Sequence, residues 1–195
     1  MQHRRLLNLA TPDVEIDPKT RVKMLNIHHA SSVFEDGMII GKSHSIVVRP
    51  TAGSIAVARR DGNQIIVLLP DNNDILGASV QRIIHDEVIS AIRIEARSYL
   101  PRRLAYLADK HNYTYQRLRF SHASGRWGSC SSRGTISLNI ALMRLPFELI
   151  DYVIIHELSH TVEMNHSENF WNLVGQGDPI YKQHRRQLKD ESPAI

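Results

Sequence analysis

The sequence predicts an α+β chain: an N-terminal antiparallel β-meander packed with a helical part. Three observations carry this expectation. Short β-branched runs separated by turn residues fill the stretch up to Pro70. From Val80 the apolar spacing changes to threes and fours, the period of an amphipathic helix. Further on, a largely apolar segment carries His156-Glu157-Leu158-Ser159-His160, with His166 six residues later.

Residues 1–20 are polar and contain Pro12 and Pro18, which reads as an arm. Residues 21–74 read as the β-rich part of a single domain spanning 21–195. Ser45-Ile46-Val47-Val48-Arg49, Ser54-Ile55-Ala56-Val57-Ala58-Arg59 and Gln64-Ile65-Ile66-Val67-Leu68-Leu69 are the candidate strands, and Asp61-Gly62-Asn63 has the chemistry of a tight hairpin turn. Residues 75–195 read as the second part. Asp71-Asn72-Asn73-Asp74 can cap a helix. Val80, Ile83, Ile84, Val88, Ala91, Ile92 and Ala96 then form its stripe, continued by Leu104, Leu107 and Ala108 to about His111, and Pro101 ends it, kinks it or starts a second helix. Residues 113–120 and 135–140 read as strands around a Gly/Ser-rich loop. Pro146 suits the start of a helix, whose apolar residues run from Phe147 through Leu158 to Val162. Met164-Asn165 then turns the chain, with Asn165 able to take a left-handed conformation. A short helix with Phe170 and Trp171 follows, then a polar one from about Ile180 to Asp190.

A chain of 195 residues can bury a core without staples. One cysteine, Cys130, excludes an internal disulfide framework and suits a reducing cytoplasm. The apolar patch at 6–10 is too short for a secretory signal, and no apolar run approaches a membrane span. The net charge of +4 is mildly basic. Arg93, Arg97, Arg102 and Arg103 form one cluster, interleaved with Glu87, Glu95 and Asp109, which reads as a solvated face; His184-Arg185-Arg186 forms another.

The histidine pattern carries the chemistry. Residues four apart stack on one helix face, so His156 and His160 can aim two imidazoles at one point. If the chain turns back, His166 can supply a third. Three imidazoles suit Zn2+ and leave its fourth position to water, the arrangement of a catalytic rather than a structural site. Glu157 then stands beside that water as general base. Arg126, Tyr181 and His184 are candidates to stabilise an oxyanion. Asn139 and its strand are candidates for pairing a peptide at a sheet edge. Glu163 is a candidate acceptor for a ligand imidazole. Cys130 reads as a packed residue rather than a fourth ligand, and Trp127, Phe170 and Trp171 read as packing residues that fix the loop and the His166 segment.

The chain resembles the YgjP-like metallopeptidase family, related to SprT-like and other zincin-type peptidases. The resemblance rests on Arg126-Trp127-Gly128-Ser129-Cys130-Ser131 with Gly134 and Ile136-Ser137-Leu138-Asn139, on Asp151-Tyr152-Val153-Ile154-Ile155-His156-Glu157-Leu158-Ser159-His160, and on Asn165-His166-Ser167 with Phe170-Trp171. It covers roughly residues 40–190. It implies a zincin-like catalytic subdomain, His156, His160 and His166 as metal ligands and Glu157 as catalytic acid/base. One departure is Glu163, where the related pattern has a turn glycine, so the turn is expected near Asn165.

The leading expectation is a zinc-dependent peptidase acting on peptide or protein substrates. Attack on phosphorus is an alternative, with Arg126, Arg185 and Arg186 as phosphate holders, although no Gly-rich phosphate loop accompanies them. The basic balance motivates a third reading, a protease that acts on DNA-bound proteins. A purely structural metal site is disfavoured by Glu157, for which it has no use.

Overall fold

The computed structural model describes residues 33–195. The arm expected over 1–20, and the start of the β-rich part, lie outside the described residues. Four strands form the first sheet: β1 (Ile39–Ile40), β2 (His44–Thr51), β3 (Val57–Asp61) and β4 (Gln64–Pro70). Their order is β1-β2-β4-β3. The β3–β4 hairpin turns through Gly62 at φ 55°, as the Asp-Gly-Asn chemistry predicts. The expected meander is corrected: β2 does not pair with β3 but runs parallel to β4, from Ser45 opposite Gln64 to Thr51 opposite Pro70. Composition explains this. Consecutive residues Ile65, Ile66 and Val67 of β4 are all buried, so this strand takes an inner position. Residues 57 and 59–61 are exposed, and their charged residues Arg59, Arg60 and Asp61 suit an edge.

A single helix, α1 (Ala78–Lys110), packs against this sheet. Its buried face is the predicted stripe with Glu95 and Leu100 added and Ile83 only half-buried. The helix cap is Gly77 rather than the polar run, although Asp74 shapes the turn before it by accepting from the Leu76 amide at 2.9 Å. The helix runs on through Pro101, which removes the bond to the Arg97 carbonyl; Arg97 is exposed, so the loss falls where water can replace it. Glu95, on the buried side of α1, accepts from the Lys42 amide at 2.6 Å, from the Ser43 amide at 2.9 Å and from its hydroxyl at 2.8 Å, and pairs with His44 Nδ1 at 2.6 Å. The β1–β2 turn is thereby pinned to the helix, and only a glycine at 41 leaves room for the carboxylate.

The second sheet has the order β5-β7-β6, from β5 (Arg117–Ser121), β6 (Gly128–Cys130) and β7 (Thr135–Asn139). A 3₁₀ turn (Ile140–Arg144) leads to α2 (Phe147–Ser159), which α3 (Glu168–Gly177) and α4 (Tyr181–Lys189) flank. Arg103 of α1 holds Asp151 of α2 with a two-pronged ion pair at 2.7 and 2.5 Å. No helix of the described residues is long and apolar enough to cross a membrane.

Candidate metal centre and active site

The segment 147–159 is apolar over most of its surface, so α2 is buried almost all round. His156 lies in its last turn, with Glu157 beside it. The helix then stops earlier than expected. Val162 is not helical but 65 % exposed, and Asn165 does not take a left-handed conformation. The reason is local. Thr161 sends both its hydroxyl (2.7 Å) and its amide (2.9 Å) to the Leu158 carbonyl, closing the helix end, and the β-branched pair Thr161-Val162 favours leaving the helix. The chain thus turns at His160 and returns to place His166 over His156.

The three imidazoles predicted from spacing do converge. One ligand atom from each of His156, His160 and His166 lies within 4.8 Å of the others, and the Nε2 atoms of His156 and His166 are 3.2 Å apart. The Glu163 carbonyl accepts from His160 Nδ1 at 3.1 Å, which leaves His160 Nε2 as the atom with a free lone pair. Glu163 therefore reaches the site through its backbone; its carboxylate instead accepts from the Asn165 amide. Phe170, fully buried, stacks on His160 with ring centroids 4.4 Å apart, and Trp171 stacks on His166 at 5.7 Å. Burial and its histidine neighbours, with Arg185 beyond them, push His156 down to about 3, and burial lowers His160 as well. Three clustered imidazoles, of which burial disfavours protonation of His156 and His160, suit a soft-to-borderline divalent ion, so the residues present fit a metal. The buried Nδ1 of His156 has no hydrogen-bond partner among the described residues.

Glu157 is 6 % exposed, and its Oε2 is buried with no hydrogen-bond partner among the described residues. Burial pushes its carboxyl up to about 8, and the charge of Arg126 opposes that rise. Gly128 of β6 is the neighbour that motif reading left without a role. A Cβ there would lie 2.7 Å from Glu157 Oε1 and 2.8 Å from its Cγ, so only glycine lets the carboxylate pass beneath the strand.

The remaining candidates separate. Asn139 is fully buried and ties the loop before β6, donating to the carbonyls of Ala123 (2.6 Å) and Arg126 (2.9 Å) while accepting from the Ala141 amide. Its strand is central and paired on both sides, so the expectation of a free substrate-pairing edge at β7 is corrected. His184 is buried and pairs with Asp178 at 2.7 Å, which satisfies its ring nitrogen on the buried side of α4. Tyr181 stacks on Trp171 at 5.4 Å. Arg126 is exposed. Cys130 is half-buried and lies outside the histidine cluster.

Comparison with known proteins gives a structural neighbour and a family. One solved structure, the metallopeptidase zymogen of Pyrococcus abyssi abylysin, is 27 % identical over 46 % of this chain and 91 % of its own, with a TM-score of 0.42. No curated protein matches. The model of the YgjP-like metallopeptidase domain matches residues 19–191, nearly the whole chain. The chain therefore belongs to the YgjP-like metallopeptidase family and is a metal-dependent peptidase by that membership.

Proposed function

We propose that this chain is a zinc-dependent metallopeptidase in which His156, His160 and His166 hold the ion and Glu157 is the acid/base. The observation that carries the reading is the gathering of three imidazole nitrogens beside a buried carboxyl whose Oε2 has no hydrogen-bond partner among the described residues. Zinc, when bound, supplies Lewis acidity to the scissile carbonyl and to water. Glu157 takes the proton from the attacking water and passes it to the leaving amine. Phe170 and Trp171 fix the imidazole planes and keep bulk water from their far side. The outer edge of β6, unpaired among the described residues and beside Gly128 and Glu157, is the place for an extended substrate to add. We read residues 21–195 as one domain, and the lone thiol suits the cytoplasm.

The test is cleavage of a mixed peptide library by zinc-loaded protein. Glu157→Gln is expected to lower kcat at least about 100-fold while retaining metal. His166→Ala is expected to weaken metal affinity more than about 100-fold without unfolding, because the residue is exposed. Turnover of nucleotides but not of peptides would replace this reading with phosphoester hydrolysis.

A further inference from the structure

Lys182, Arg185, Arg186 and Lys189 of α4 are spaced at i, i+3, i+4 and i+7, so they share one helix face. That helix contains no acidic residue. Like charges three and four apart destabilise a helix, and none of the four has a carboxylate partner among the described residues. Together with Trp171 and Tyr181 they line an open cavity of about 340 Å³. The cavity adjoins the metal centre. Trp171, on its wall, stacks on His166, and the Arg185 guanidinium sits 4.5 Å from the Trp171 ring centre. Those two steps of 5.7 and 4.5 Å put the guanidinium within about 10 Å of the His166 ring, about three residues of extended peptide.

We propose that this cavity is a substrate subsite for a carboxylate, and that the enzyme selects peptides with an acidic residue within about three positions of the scissile bond. The proposal rests on the peptidase reading above. The chemistry favours a carboxylate over a nucleic acid. A single strand binds on open aromatic faces, but Trp171 is already engaged by His166, Tyr181 and Arg185, and Lys182 lies over Tyr181 at 6.0 Å. What remains available is positive charge held by aromatic rings, which suits a compact, non-aromatic anion.

The test measures binding as well as cleavage. Fluorescent peptides carrying Glu at one of the three positions on either side of the cleaved bond, and their Gln counterparts, are titrated against zinc-loaded Glu157→Gln protein. At the preferred position the Glu peptide is expected to bind about tenfold tighter at low salt, with the advantage shrinking as salt rises. The double variant Arg186→Gln/Lys189→Gln is expected to erase that preference without unfolding α4, since it removes like-charge pairs and adds no anion at the helix C-terminus. Equal affinities for Glu and Gln peptides at every position would overturn the proposal, and so would a preference that survives the double variant. A single-stranded oligonucleotide that outcompetes the acidic peptide, and loses binding in the double variant, would overturn it in favour of a nucleic-acid surface. Glu157-dependent cleavage with no preference for acid sinks this inference alone. Selective binding of acidic peptides that the wild type does not cleave sinks the peptidase reading and leaves the carboxylate subsite standing.

Discussion

Replacing Glu157 by Gln is expected to remove a pH-dependent weakness from the metal-free fold. Burial lifts the carboxyl from an ordinary 4.5 to about 8. Between those values the folded state holds a proton that the unfolded state has released, so stability is full at low pH and falls as pH rises through the window. Below pH 6.5 the loss is masked. His156 stays neutral in the fold down to about 3 against an ordinary 6.5, so its contribution grows with pH over the same range and opposes Glu157. Lys42, lowered by burial to about 8, gains stability with pH only above that value. From pH 6.5 to 8 Glu157 is therefore left unopposed, and one proton across that interval is worth about 2 kcal/mol. Urea unfolding of wild type and Glu157→Gln with chelator present, at several pH values from 6.5 to 8, reads the difference. The wild type is expected to lose about 2 kcal/mol relative to the variant across the window. A constant difference between the two proteins would refute the burial argument, because it would mean the carboxyl ionises in solution as if solvated.

Two further outcomes follow from the packing around the site. Gly128→Ala places a Cβ 2.7 Å from Glu157 Oε1, where ordinary contacts begin near 3.4 Å. Shifting the carboxylate by that deficit is expected to lower kcat about 10- to 100-fold with zinc content unchanged; an unaltered kcat would show that Glu157 sidesteps freely. Phe170→Ala empties a fully buried ring site against His160 and is expected to cost about 3–5 kcal/mol in urea unfolding of the chelated protein. A loss below about 1 kcal/mol would mean the pocket collapses around the gap and the ring does not hold His160.

The local pattern was legible wherever one face of one element decides the outcome. The stripe from Val80 to Ala96 is helical and buried, Asp61-Gly62-Asn63 makes a hairpin, and the apolar run through Leu158 makes an enclosed helix. Partner choice between strands was not legible. Whether β2 lies beside β3 or β4 depends on which strand can be covered on both faces, and this is a property of the packed sheet. Pro101 points the same way: a helix break by its own chemistry, it is passed over because the carbonyl it orphans faces solvent.

Within the site, periodicity alone placed His156 and His160 on one face, because i and i+4 side chains stack in any α-helix. The composition of 147–159 also determined that this helix would be enclosed. Only the tertiary structure decided the rest. The return of His166 depends on Thr161 closing the helix at Leu158, the tautomer of His160 depends on a backbone carbonyl at 163, and the room for the Glu157 carboxylate depends on a glycine on a strand nearly thirty residues earlier. The first two are contacts three residues apart that form only where the helix ends, and the third joins segments that no spacing rule links, since the solvent and neighbours a side chain meets are set by the whole packed fold.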